Sequence, residues 1–430
     1  MRSTSVLCWL ALLLLSVACS PAGRVRKAVR KSPVLNGHFS GFALYDPVAG
    51  RMLAGRNADK YFTPASNTKL FTLYTSLSVL GDSVPALRYA VVGDTLFFRG
   101  TGDPSLLHPD LHNPAVTRLL ASRPETLVYV QERQPVPHFG PGWGWDDYND
   151  YYSAEKAALP VYGNVVRFGR DASGVLRAQP AYFRSGVTIG PAGRPGDAAF
   201  IRHPEHNRFT YHPAAAGKPF TQDVPFRYSA PLAARLLSDT LKREVGWTDY
   251  RPLPGAQVLY GIPTDSLYRK LMQESDNFIA EQLLLLCSAR LFDSLHTESV
   301  IRYARERLLA DLPDRPVWVD GSGLSRYNLF TPRTMVALLH KLYWQVPRER
   351  LFALLPAGGR SGTLRNWYAA DPPFVFAKTG SLSNVYCLSG YVVTRKGKVL
   401  LFSSMHNNYT VPLNDVRREI DRVLRLAAKD

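Results

Sequence analysis

The chain has 430 residues, of which 46% are hydrophobic and 20% charged, a composition that excludes global disorder. Its length exceeds that of one typical domain, so we expect two domains or one domain with a large insertion. The formal net charge of +17 indicates anionic partners. Because the basic residues are scattered along the chain, they favour an anionic polymer or a lipid surface over nucleic acid.

The N-terminus has the pattern of a secretory signal. Arg2 precedes an apolar run from Val6 to Val17, which is too short to span a bilayer comfortably. The run leads into Ala18-Cys19, and Ser16-Val17-Ala18-Cys19 is similar to the lipobox in which a cysteine becomes lipid-modified. Ordinary cleavage without a lipid is the alternative. We therefore predict a signal peptide over residues 1–19 with lipidation at Cys19, a basic linker over 20–36, and a periplasmic, membrane-anchored protein away from nucleic acid.

A hairpin and a helix are predicted next. Residues 39–55 alternate as two strands around the turn Asp46-Pro47-Val48-Ala49-Gly50. An amphipathic helix is then predicted to begin at Ser66, because apolar residues recur at helical spacing up to the stop signal at Gly81. Ser66 is thus expected at a helix N-terminus, where backbone N–H groups can face a ligand.

The rest of the chain separates into a β-rich and a mixed segment. Residues 88–245 contain short alternating runs between turn signals, which predict a β-rich insert. Residues 246–430 contain helical patterns followed by three strand patterns and a final amphipathic helix. Together with residues 37–87 they predict an α+β domain, in which helices cover an antiparallel sheet.

Three short motifs stand in order along the chain: Ser66-Asn67-Thr68-Lys69, Ser275-Asp276-Asn277 and Lys378-Thr379-Gly380. Residues three apart share a helix face, so the Lys69 amine can lie against the Ser66 hydroxyl. A serine hydroxyl needs a base to remove its proton, and a lysine can do so only when it is neutral. Burial and a nearby cation such as Lys378 both lower a lysine's pKa.

This ordered set resembles the S-x-x-K, S-D-N and K-T-G motifs of penicillin-binding proteins and serine β-lactamases. Ser275 lies 209 positions after Ser66, which leaves room for a large insert. That spacing is similar to the D-alanyl-D-alanine carboxypeptidase/endopeptidase family of low-molecular-mass class C penicillin-binding proteins. The resemblance covers the mature chain and is most specific at Asp320-Gly321-Ser322-Gly323-Leu324-Ser325-Arg326, Leu355-Pro356, Gly362-Thr363-Leu364 and Lys378-Thr379-Gly380-Ser381-Leu382.

The resemblance implies a role for each motif residue. Ser66 is the nucleophile, Lys69 its base, and Ser275 relays a proton to the leaving amine. Gly380 allows the substrate to approach the backbone closely, and the backbone N–H groups of Ser66 and Ser381 form the oxyanion hole. The substrate-binding residues that the resemblance implies are Asn277, Arg326, Lys378, Thr379, Gly380 and Ser381.

Within the insert, Gly142-Trp143-Gly144-Trp145-Asp146-Asp147 precedes Tyr151-Tyr152-Ser153. In the family this region reaches the cleft, and the resemblance implies that Asp147 and Tyr152 contact the diamino acid of the stem peptide. Asp146 and Tyr151 are rivals for these roles. The structural alternative is an aromatic loop that packs the insert.

The resemblance therefore predicts a serine-type D-Ala-D-Ala carboxypeptidase, endopeptidase or both. It would act on peptidoglycan stem peptides through an acyl-enzyme on Ser66 and bind β-lactams covalently. A β-lactamase is one alternative, although no E-x-x-L-N motif lies between the second and third motifs. A wall-binding or β-lactam-sensing protein without turnover is the other. We predict no cofactor and no metal, since Cys287 and Cys387 have no C-x-x-C spacing.

Overall fold

The computed structural model describes residues 21–194, 196–213 and 219–429. The predicted signal peptide and the lipidation site at Cys19 lie outside the described residues. Within those three ranges, no helix is long and apolar enough to cross a membrane.

The elements follow in chain order. The helices are α1 (Pro21–Lys31), α2 (Pro33–Asn36), α3 (Lys69–Val79), α4 (Ala115–Ser122), α5 (Ala230–Leu241), α6 (Thr264–Gln273), α7 (Asn277–Phe292), α8 (Thr297–Tyr303), α9 (Pro332–Gln345), α10 (Arg348–Leu354) and α11 (Leu413–Ala427). The strands are β1 (Phe39–Asp46), β2 (Arg51–Arg56), β3 (Ser83–Val92), β4 (Thr95–Gly100), β5 (Thr126–Val130), β6 (Val165–Arg170), β7 (Leu176–Gln179), β8 (Val187–Ile189), β9 (Phe200–Arg202), β10 (Phe209–Tyr211), β11 (Phe220–Pro225), β12 (Val245–Thr248), β13 (Gln257–Pro263), β14 (Val375–Leu382), β15 (Val385–Val393) and β16 (Val399–Asn407).

These elements form two compact units. The described part of unit 1 comprises residues 21–74, Tyr268–Ser275 and residues 303–429. Unit 2 comprises the described residues of Thr75–Leu267 together with Asp276–Arg302. The predicted insert of residues 88–245 falls within unit 2, which also contains chain on either side of it. The predicted domain boundaries stay a prediction, since the two compact units meet at other residues of the chain.

Unit 1 is built on an antiparallel sheet with the strand order β14-β15-β16-β1-β2. Every residue of β16 is buried, and so is every residue of β15 except the last, because helices cover the sheet. Helix α9 packs against β1 and β16, and the Tyr391 hydroxyl donates to the Leu339 carbonyl 2.9 Å away. Strand β14 lies at the sheet edge. The predicted α+β fold is confirmed.

The predicted basic linker is wrong for residues 21–36. Helix α1 buries Val25 and Val29, and packs against α11 and β2. A second short helix, α2, follows at once, and the Ser32 side chain caps it by accepting from the Leu35 N–H at 3.1 Å. The many charges of this segment suggested a solvated stem, but three apolar positions on one helix face suffice for packing.

Unit 2 contains three small sheets. The strand orders are β12-β5-β4-β3-β13, β8-β10-β9 and β11-β6-β7. Strands β4 to β11 are short and lie within residues 88–245, where the sequence predicted a β-rich segment. Aromatic residues fill much of the core, and the rings of Phe168 and Phe200 stack with their centroids 3.9 Å apart.

Candidate active site

Ser66 lies in a 3-10 turn, Ala65–Thr68, that leads directly into α3. The sequence predicted a helix from Ser66, and the structure starts the α-helix three residues later. The tight turn bends the backbone so that Ala65 has a φ of +48°, and the Thr68 hydroxyl donates to the Ala65 carbonyl at 2.9 Å. A Cβ added to Gly380 would lie 2.6 Å from the Pro64 carbonyl oxygen and 3.0 Å from the Ser66 nitrogen. Only glycine fits there, because the strand packs closely on the Ser66 turn. The sequence interpretation had assigned Gly380 to the close approach of a substrate, and that role stays a prediction.

Lys69 is the nearest base to the Ser66 hydroxyl. Its Nζ lies 2.9 Å from Ser66 Oγ and donates to the Ser322 carbonyl at 2.7 Å. The side chain is fully buried. The predicted (i, i+3) approach is thus present, and the carbonyl adds a second fixed partner that orients the amine toward Ser66.

A buried turn presents the Ser322 carbonyl to Lys69. The Asp320 carboxylate accepts from the backbone N–H groups of Gly323 at 2.8 Å and Ser325 at 2.7 Å, and from Asn328 Nδ2 at 2.8 Å. Gly323 has a φ of +80°, and a Cβ there would lie 1.9 Å from the Ala65 carbonyl oxygen. The turn therefore packs directly on the Ser66 segment. Sequence reasoning had singled out this motif but had not identified Ser322 as the partner of Lys69.

Lys378 forms the opposite side of the site in unit 1. Its Nζ donates to Ser275 Oγ at 2.7 Å and to the Thr379 carbonyl at 2.8 Å. Ser275 has a φ of +62°, an uncommon conformation for a residue with a side chain. Burial of Lys378, and in addition the positive charge of Lys69, hold the pKa of the Lys378 ammonium well below its usual range.

The K-T-G segment lies within the edge strand β14. Asn67 Nδ2 donates to the Lys378 carbonyl at 3.0 Å and so ties this strand to the Ser66 turn. The Thr379 hydroxyl donates to Thr363 Oγ1 at 2.7 Å. Thr363 belongs to a motif that supported the resemblance, but sequence reasoning had not placed it beside Thr379. In the first half of β14, the Ala377 N–H donates to the Pro356 carbonyl and the Val375 carbonyl accepts from the Gly358 N–H. The edge position therefore leaves only the second half of β14 open to an extended peptide.

Unit 2 brings three other predicted residues together. Asn277 begins α7, and its Nδ2 donates to the Tyr152 carbonyl at 3.1 Å. The Tyr152 hydroxyl lies 2.9 Å from Asp147 Oδ1 and 3.0 Å from Asp150 Oδ2. Burial, and then the hydrogen bonds to these two carboxylates, raise the pKa of Tyr152. The sequence interpretation had missed Asp150.

Three further residues differ in setting. The rivals Asp146 and Tyr151 have exposed side chains. Arg326 is also exposed, and its Nη2 lies 3.4 Å from the Ser383 carbonyl oxygen. Both Cys287 and Cys387 are buried free thiols.

His108 and His112 have the H-x-x-x-H spacing of some metal sites. Even so, the described residues contain no group of three or more His, Cys, Asp or Glu side chains placed to hold a metal ion.

A serine beside a buried lysine, with a second serine–lysine pair on an adjoining sheet edge, defines a serine-type acyl-transfer site in an α+β fold. The sequence model of the D-Ala-D-Ala carboxypeptidase 3 (S13) family matches residues 22–179 and 217–429. The chain therefore belongs to this family and is a serine-type peptide hydrolase.

Individual relatives agree with the family. The chain is 29% identical to a D-alanyl-D-alanine carboxypeptidase of Actinomadura sp. (strain R39), covering 90% of this chain and 80% of the relative. It is 24% identical to the carboxypeptidase DacB of Haemophilus influenzae, covering 86% and 85%. Crystal structures of penicillin binding protein 4 from Haemophilus influenzae share the fold. One has a TM-score of 0.70 at 23% identity, covering 94% and 97% of the two chains. Another, complexed with a β-lactam, has a TM-score of 0.67 at 21% identity, covering 93% and 97%.

Proposed function

We propose that the protein hydrolyses the D-alanyl-D-alanine ends or cross-links of peptidoglycan stem peptides through an acyl-enzyme on Ser66. The observation that carries this proposal is the 2.9 Å approach of Lys69 Nζ to Ser66 Oγ inside a buried site. A base must lie within hydrogen-bond reach of the proton it removes, and this pair does. Family membership supplies the substrate class.

The acylation step follows from these contacts. Neutral Lys69 takes the Ser66 proton while Ser66 Oγ attacks the carbonyl carbon of the scissile amide. The backbone N–H groups of Ser66 and Ser381 donate to the developing oxyanion. Ser275, held by Lys378, relays the proton that Lys69 has taken up to the leaving amine nitrogen, and the C–N bond breaks to give an ester on Ser66. Lys69 and Ser275 thereby return to their starting protonation states. Water then cleaves the ester, which restores the Ser66 hydroxyl and releases the peptide acid.

The terminal carboxylate of the substrate would meet amine and hydroxyl groups on β14, and its negative charge would oppose the lowering of the Lys378 pKa. We assign this carboxylate to Lys378, Thr379 and Ser381, with Thr363 holding the Thr379 hydroxyl in place. Asn277 and Arg326 are assigned to the peptide backbone and the cleft rim. Both assignments rest on the resemblance, because these residues lie in motifs that match the family.

β-Lactams are proposed as covalent ligands, since their strained amide can acylate the same serine. The Haemophilus influenzae structure with a bound β-lactam supports this. A β-lactamase or a β-lactam sensor without turnover would also be acylated. Release of D-alanine from peptide ends, or of uncross-linked peptides from cross-linked ones, distinguishes the hydrolase from both.

The decisive experiment combines labelling with turnover. Fluorescent penicillin should label the wild-type protein, and Ser66→Ala should abolish both labelling and D-alanine release. Ser78→Ala, an exposed serine farther along α3, is the matched control and should behave as wild type. Labelling of Ser66→Ala would place the nucleophile elsewhere. Digestion of cross-linked peptidoglycan, with product identification, then separates carboxypeptidase from endopeptidase action.

Export and lipid anchoring are proposed from the sequence motif at Cys19. We expect a fatty-acid analogue to label the wild-type protein metabolically. Cys19→Ala should lose the label and move from the membrane fraction to the soluble fraction. A wild-type protein without lipid would leave the hydrolase proposal intact but would refute the anchor.

A further inference from the structure

Helix α1 has one packed face and one basic face. Val25, Ala28 and Val29 are buried, which fixes the orientation of the helix on unit 1. The sequence of the helix, Pro21–Lys31, contains no acidic residue. We name its exposed basic side chains the α1 basic face: Arg24, Arg26, Lys27, Arg30 and Lys31.

The acidic residues of the neighbouring helix α11 do not neutralise this face. Each of them is paired with an arginine on α11 itself: Asp415 with Arg418, Glu419 with Arg422 and Asp421 with Arg425. Helices α1 and α11 together carry nine basic and three acidic residues, a net charge of +6. Strand β2, which also packs on α1, contains no acidic residue. Helices α1 and α11 and strand β2 therefore form a layer that is strongly cationic as a whole.

The position of the predicted lipid brings this layer to a membrane. Helix α1 begins at Pro21, only two residues after Cys19. Two extended residues span at most about 7 Å, which is shorter than the screening length of about 8 Å at physiological salt. This step rests on the proposed lipidation. It implies that a lipid on Cys19 would hold the start of α1 within electrostatic reach of the headgroups.

We propose that the α1 basic face is a docking surface for an anionic phospholipid bilayer. It would lay unit 1 against the membrane instead of suspending it on a tether. Basic residues attract anionic lipid surfaces additively, at about fivefold in binding per cation, and the attraction falls with salt. The side chains are already fixed on a packed helix, so binding needs no folding step.

The test uses the chain from Ser20 to Asp430, which contains every described residue and carries no lipid. Sedimentation with vesicles of phosphatidylglycerol and phosphatidylcholine should show binding that decreases with added salt. Vesicles of phosphatidylcholine alone should not bind. The triple variant Lys27→Gln, Arg30→Gln, Lys31→Gln should bind about a hundredfold more weakly. Its melting temperature should not change, because these side chains are exposed.

A matched triple variant distinguishes an effect of the α1 basic face from an effect of the total charge of the protein. Arg315→Gln, Arg348→Gln, Lys396→Gln removes the same charge from exposed positions of unit 1 outside α1. It should lose less than about threefold in vesicle binding. Equal losses in both triples, no binding by wild type, or binding to isolated wall polymer but not to vesicles would each overturn the proposal. Hydrolysis of a soluble peptide by both triples should match wild type, so failure of docking is distinguishable from failure of the hydrolase.

Discussion

His406 is a fully buried imidazole with polar neighbours on both ring nitrogens. Nε2 lies 2.7 Å from Ser404 Oγ, and Nδ1 lies 2.9 Å from Nε2 of His38. Burial, with smaller contributions from the charges of His38 and Arg56, lowers the pKa of His406 to about 3. The folded protein thus keeps this ring neutral at pH values where the unfolded chain protonates it.

The sign of the pH effect follows from this pKa. Between pH 6.5, the ordinary value, and about 3, the unfolded state binds more protons than the folded state, so stability falls as the pH falls. A tenfold difference in proton affinity between the two states corresponds to about 1.4 kcal/mol, so the fully developed loss is several kcal/mol. Denaturant unfolding of wild type and His406→Gln from pH 7 to pH 4 should show a smaller pH slope in the variant. His112→Gln, an exposed control, should keep the wild-type slope. Equal slopes in all three proteins would contradict the assignment.

At the scale of elements, the turn after Asp320 determines whether Lys69 has its second partner. Gly323 combines a positive φ with a close approach to the Ala65 carbonyl, so a side chain there is disfavoured twice. Gly397 has a similar φ of +78° but no heavy atom within 4 Å of an added Cβ. A substitution at Gly397 therefore tests backbone strain alone, whereas one at Gly323 tests backbone strain together with steric conflict.

We expect Gly397→Ala to cost about 1 kcal/mol, the usual effect of alanine at positive φ. Gly323→Ala should cost at least about 1–3 kcal/mol more, because the turn and the Ser66 segment must move apart. It should also slow acylation by penicillin more than tenfold, since Lys69 and Ser66 are held by the same segments. Denaturant unfolding and the labelling rate measure the two effects. If both variants had similar free energies of unfolding and labelling rates, the turn would be able to move away from the Ser66 segment at little cost.

The same elements show what the sequence could and could not predict. Helical spacing predicts the Ser66–Lys69 contact. The alternating or continuous apolar patterns predict the strands of the sheet in unit 1. Ser322 meets Lys69 across 253 positions of sequence, and Thr363 meets Thr379 through the placement of a separate turn. No local sequence pattern predicts such long-range contacts. For a related reason the sequence did not predict helix α1, because its three apolar residues are buried mainly by α11 and β2, which lie far from it in sequence.

At the scale of the whole molecule, the motif residues divide between the two units. Ser66, Lys69, Ser275 and Lys378 belong to unit 1, whereas Asn277, Tyr152 and Asp147 belong to unit 2. A penicillin needs the nucleophile, its base and the carboxylate partners. A stem peptide carries in addition the free ammonium of a diamino acid. If the acidic side chains around Tyr152 bind this ammonium, the two ligands report separately on the acylation residues and on those acidic side chains.

If Asp147 pairs with that ammonium, Asp147→Asn should weaken hydrolysis of the peptide about ten- to hundredfold in kcat/KM, because a charge-assisted hydrogen bond contributes roughly 1.5–3 kcal/mol. Acylation by penicillin should hardly change. Asp150→Asn tests the second carboxylate on the Tyr152 hydroxyl, and Asp146→Asn tests the rival carboxylate. Acetylating the distal amine of the peptide should remove the difference between Asp147→Asn and wild type, since the charge is then absent from the substrate. Equal losses on penicillin and peptide would instead assign Asp147 to packing of the loop, because only a structural defect would slow both reactions.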